Sequence, residues 1–109
     1  MWVKIFKDED EAKRKLQPDR PQLLIIGDLR LSLVLHNNIF YAVQDFCSHN
    51  KESLSKGTIN FKGEIICPWH GYCFDLQTGR ESLERSADLN VYEIRIDSAG
   101  FCIHIPESK

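Results

Sequence analysis

Apolar and polar residues alternate along this chain in short runs, the period-two pattern of strands that turn one face to a core. Leu29, Leu31, Leu33 and Leu35 fall on one side of such a run and Arg30 and Ser32 on the other, which predicts a half-buried strand. Asn37-Asn38 predicts a turn into a second strand, Ile39 to Asp45, so that the two make a hairpin. Thr58 to Phe61 and Glu64 to Ile66, parted by Lys62-Gly63, predict another hairpin, and Tyr72 to Asp75 a short strand stopped by Thr78-Gly79. Val91 to Ile96 and Phe101 to Ile105 alternate around Asp97-Ser98-Ala99-Gly100 and predict a closing pair. The charged stretch from Arg80 to Asp88 reads as a surface loop.

The exception to this pattern lies near the start. After a short predicted strand, Trp2 to Phe6, Asp8 stands where a helix N-cap belongs, followed by Glu9-Asp10-Glu11 and then Lys13-Arg14-Lys15. Acid first and base last complements a helix dipole, and Pro18 and Pro21 close the helix. The sum is a small antiparallel β protein with one minor helix, and the two hairpins end at Cys47 and Cys67.

With 109 residues and 42% hydrophobic content, the chain predicts a single domain over 1–109. Its 14 basic and 16 acidic residues are mixed along the sequence for a net charge of -2. That balance offers no broad basic face, so nucleic acid and membrane surfaces are not expected partners and proteins are. The longest unbroken apolar stretch, Leu23 to Ile26, is far too short for a membrane span. The residues after Met1 lack the apolar run of a secretory signal, which predicts a cytoplasmic location. In that reducing compartment the four cysteines are not expected to form disulfides, and Cys73 and Cys102 read as ordinary small hydrophobes.

Cys47 and Cys67 differ because each has a histidine close by. The sequence runs Cys47-Ser48-His49, then seventeen residues, then Cys67-Pro68-Trp69-His70. Each loop offers one thiolate and one imidazole, a donor set that suits an iron–sulfur cluster with two histidine ligands. Zinc is the chemical competitor, since two Cys and two His also close a tetrahedral site. Its usual grammar groups the cysteines together and the histidines together, whereas each local pair here is mixed. His36 and His104 have no cysteine within ligand spacing and read as ordinary polar positions.

On this motif, with Gly71 after the last histidine, the Phe74-Asp75 pair and the Thr78-Gly79 turn, the chain resembles the Rieske family, specifically its soluble, low-potential ferredoxins associated with oxygenases. The resemblance implies an all-β fold, an antiparallel β-sandwich carrying a cluster-binding subdomain of two ligand loops at about 46–79. It implies one [2Fe–2S] cluster, with Cys47 and Cys67 on the inner iron and His49 and His70 on the outer iron. It also implies a one-electron carrier, not itself an enzyme, between a reductase as donor and an oxygenase or similar acceptor. An accessory subunit of the kind found in nitrite reductases is the second expectation, and a structural zinc module the third. Glu52 and Trp69 stand where membrane-bound relatives carry a disulfide, and Tyr72 and Phe74 where high-potential relatives carry Ser and Tyr hydroxyl donors; both departures imply a low potential.

Overall fold

The computed structural model of the chain describes residues 1–69 and 71–106. In chain order the elements are β1 (Trp2–Phe6), α1 (Glu9–Lys15), β2 (Gln22–Ile26), β3 (Leu29–His36), β4 (Ile39–Gln44), β5 (Thr58–Ile59), β6 (Glu64–Ile66), β7 (Cys73–Asp75), β8 (Val91–Tyr92), β9 (Ile94–Asp97) and β10 (Gly100–His104), with one turn of 3-10 helix at Leu54–Lys56. They form three antiparallel sheets, ordered β1-β10-β9, β2-β3-β4-β8 and β5-β6-β7. The all-β architecture with one short helix is as expected.

Helix α1 begins as its sequence predicts: the Asp8 carboxylate accepts from the Glu11 backbone N–H at 2.8 Å. The Glu11 carboxylate in turn accepts from the Lys7 N–H, also at 2.8 Å. Seven residues are too few to hold a helix in water. Burial of Ala12 and Leu16 in the first core supplies the rest.

Two apolar cores lie on either side of the four-stranded sheet. Leu31, Leu33 and Leu35 of β3 point into the first, where the Phe101 ring meets Phe6 and Phe40 edge-on at 5.3 and 5.0 Å. Val34 of β3 and Val43 of β4 point the other way, into a second core that contains Cys47 and Cys67 together with Leu54, Ile65 and Phe74. β3 is therefore buried on both faces, which corrects the half-buried strand expected from its leucines. Ser32 is covered because its hydroxyl donates to Asp45 at 2.8 Å, and His36 because its Nδ1 lies 2.6 Å from the Asp19 carboxylate.

One strand lies where the sequence reading named none, and one boundary differs from expectation. Leu23 to Ile26 forms most of β2, an edge strand in register with β3. The run Val91 to Ile96 is not one strand: Val91 and Tyr92 pair with β4, whereas Ile94–Asp97 pairs with β10 in another sheet. The alternation continues through Glu93, so the chain changes sheets while Tyr92 and Ile94 both keep packing on the first core.

Candidate metal centre

The two cysteine loops are built alike. The Cys47 N–H donates to the Glu52 carbonyl at 2.8 Å, and the Cys67 N–H to the Tyr72 carbonyl at 2.8 Å, so each cysteine opens a loop closed five residues later. Four residues after each cysteine the chain takes a left-handed conformation, at Lys51 (φ 61°) and at Gly71 (φ 68°). In the second loop glycine adopts it without strain; in the first, lysine adopts it at a cost of about 1 kcal/mol.

β4 and β6 deliver the two loops to the same place. Cys47 and Cys67 are both buried, 0% and 1% exposed, and their sulfurs lie within interaction distance of each other. Burial pushes the Cys67 thiol up from its usual value, with Cys47 adding to the rise. The Trp69 backbone N–H and the Asn50 side chain, 3.7 Å from the sulfur, pull the other way. His49 stands outside this pair, exposed at the surface. His70 lies outside the described residues.

Sulfurs inside, side by side, approached by a backbone N–H, with an imidazole toward solvent, form a donor set that fits an iron–sulfur group with mixed ligands. All four cysteines are free. Cys73 is half-buried, its Sγ near the Gly71 carbonyl at 3.4 Å, and burial followed by the Glu64 charge raises its pKa, as suits an unreactive thiol. Cys102 is buried on β10.

The first loop is anchored by a buried carboxylate that sequence reasoning passed over. Asp45, 2% exposed, accepts from the Ser32 hydroxyl at 2.8 Å, the Ser53 hydroxyl at 2.7 Å and the Ser55 N–H at 2.9 Å. Those bonds pin both ends of the Cys47 loop to β3. Gln44 joins the same region to the segment before β8, donating to the Phe46 carbonyl at 2.9 Å and accepting from the Asn90 N–H at 2.8 Å.

The charged stretch at 80–88 is also more than a surface loop. Ser48, between two ligand candidates, donates to the Ala87 carbonyl at 2.5 Å and lies 2.9 Å from the Ser86 hydroxyl. The Ser82 N–H bonds the Cys73 carbonyl at 2.8 Å. Glu81 is wholly buried and paired with Arg85. A glutamate and an arginine four apart were the available signal, but nothing in a charged run marks which carboxylate is covered.

Around the cysteines, Phe46 and Trp69 expose 46% and 56% of their surface. Each adjoins the loop that carries a candidate ligand, so this end of the molecule presents apolar surface. Among the described residues no helix is long and apolar enough to cross a membrane.

Known proteins resemble this chain in sequence and in fold. The chain is 32% identical to the 3-phenylpropionate/cinnamic acid dioxygenase ferredoxin subunit of Escherichia coli (strain K12) over 71 residues, covering 64% of this chain and 67% of that protein. Its fold matches the ferredoxin-bearing complex of carbazole 1,9a-dioxygenase with a TM-score of 0.77 at 27% identity, over 94% of this chain and 100% of the other. A protein from Mycobacterium tuberculosis described as an NADH-dependent nitrite reductase small subunit is alike in fold alone, with a TM-score of 0.79 at 16% identity, over 98% of this chain and 97% of the other. A family model described as the Rieske [2Fe-2S] domain matches residues 2–93, and the chain belongs to that family.

Proposed function

We propose that this protein carries single electrons on one [2Fe–2S] cluster, held by Cys47 and Cys67 on the inner iron and His49 and His70 on the outer, between a reductase and an oxygenase or similar acceptor in the cytoplasm. The observation that carries it is the pair of buried, free thiols side by side beneath an exposed imidazole. When bound, the cluster accepts and gives up one electron without making or breaking a bond to substrate. The chain's part is to hold and shield it: Leu54, Ile65 and Phe74 wall off the sulfurs from water, and Asp45 fixes the first loop.

Donor and acceptor meet the end that bears His49 and Trp69, where the distance to solvent is shortest and apolar surface is available for a transient contact. The relatives named as dioxygenase ferredoxin subunits support the oxygenase as acceptor. An accessory role in a nitrite reductase is less economical, because it would leave a complete donor set without use.

Anaerobic purification with iron, sulfide and zinc analysis tests the cofactor. Iron and acid-labile sulfide in the [2Fe–2S] ratio are expected, bleached by a ferredoxin reductase with its nicotinamide donor and recoloured by an oxygenase. A colourless protein with zinc and no sulfide overturns the proposal. Cys67→Ser is expected to abolish the colour and Cys102→Ser to leave it.

A further inference from the structure

His49 does not stand alone at the surface. Its ring stacks on Tyr72, with centroids 4.0 Å apart and planes within 14°. The Arg85 guanidinium lies 3.8 Å from the centre of the same Tyr72 ring. Two flat groups cannot both sit that close over one face, so Tyr72 is held between them.

Arg85 is itself held by Glu81. Its Nη2 and Nε donate to Glu81 Oε2 and Oε1 at 2.7 and 3.0 Å, and its backbone N–H donates to Oε1 at 2.8 Å. The Glu81 carboxyl is wholly buried, and hydrogen bonding to Arg85 holds its pKa down to about 2, so it is ionised at neutral pH. Paired this way, planar and forked, arginine keeps a set orientation that a lysine would not. The loop carrying both residues is tied to the first ligand loop through Ser48 and Ala87. The stack therefore links one ligand loop to the other through a third.

We propose that Tyr72 and Arg85 are positioning residues for the cluster: Tyr72 fixes the plane of the His49 ligand, and Arg85, oriented by Glu81, sets a positive charge behind it that favours the reduced state. The inference rests on the proposed role of His49 as a ligand. The guanidinium lies roughly 8 Å from the imidazole along the stack, near the Debye length of physiological salt, so its field is felt there. Glu81 carries the opposite sign and pairs with that guanidinium. The pair presents its positive member to the Tyr72 ring, and its two halves have opposite effects on the midpoint.

The test is voltammetry and electron paramagnetic resonance on holoprotein at fixed pH. Arg85→Gln is expected to lower the midpoint potential and Glu81→Gln to raise it. Each substitution keeps a hydrogen-bonding group in place, and a purely structural loss of packing would not give shifts of opposite sign. Tyr72→Leu is expected to alter the g-values of the reduced protein, and Tyr72→Phe, which keeps the ring, to preserve them. Potentials that stay put in both charge variants, or move in the same direction, overturn the proposal, even if Tyr72→Leu fails to retain iron. Wild-type protein without iron and sulfide would instead reject the ligand assignment beneath it.

Discussion

Gly57→Ala should damage the proposed metal centre without touching a proposed ligand. Gly57 has φ −87°, a conformation open to any residue, so its requirement for glycine is steric. A Cβ there would lie 2.0 Å from the Ile66 carbonyl oxygen, about 1 Å inside the closest approach that real Cβ atoms make. That oxygen belongs to the same peptide unit as the Cys67 N–H, which donates to the Tyr72 carbonyl at 2.8 Å. Moving the peptide by an ångström breaks the bond that closes the second ligand loop. Overpacking costs about 1–3 kcal/mol and the lost hydrogen bond about 1 kcal/mol, together about 2–4 kcal/mol. For a domain of this size that lowers the melting temperature by roughly 10 °C or more. Because bound metal breaks two-state unfolding, iron content should be measured alongside the melt. Gly27→Ala is the control: its φ is +59° but nothing lies within 4 Å of the added methyl. It should cost about 1–2 kcal/mol of backbone strain and leave the iron in place. Gly57→Ala protein with the wild-type melting temperature and full iron would refute the reasoning.

Asp45→Ala leaves the Ser32 and Ser53 hydroxyls and the Ser55 N–H without their acceptor; urea melts should show a loss of about 2–4 kcal/mol, and visible absorbance a faster loss of cluster. His36→Ala removes the partner of Asp19 from a buried site and should cost about 2 kcal/mol while leaving iron and sulfide unchanged, as checked by melting and metal analysis. The Glu81 pKa is lowered from 4.5 to about 2, so its stabilisation is present in full above pH 4.5 and is lost as pH falls through about 2. Across that window wild type should lose stability more steeply than Glu81→Gln in acid urea titrations. Voltammetry should place the midpoint in the lower part of the Rieske range of roughly −150 to +300 mV, since Phe74 carries no hydroxyl and no disulfide joins the loops.

The cysteine loops were legible because their information is local: two strands, each running into a cysteine with a histidine two or three places on. β3 misled because its alternation is genuine but its polar side is covered too, by Asp45 over Ser32 and Asp19 beside His36. Both acids are distant in sequence, 13 and 17 residues away. The break between β8 and β9 left no mark, since the side-chain alternation survives the change of sheet. Tyr72 was weighed only for its hydroxyl, whereas its ring is what the fold uses. Glu81 and Arg85 looked like any solvated pair, because whether a carboxylate is buried depends on the loop that closes over it.

The sheet that separates the two cores also separates a part of the fold that needs only the chain from a part built around two thiols. On one side are strands of four and five residues closed over leucine and phenylalanine, which need nothing but the chain. On the other are strands of two and three residues around a core that includes two thiols. The two sides should therefore differ in how far they depend on a bound group. A bound group would thus complete one half of a fold whose other half is closed by the chain itself.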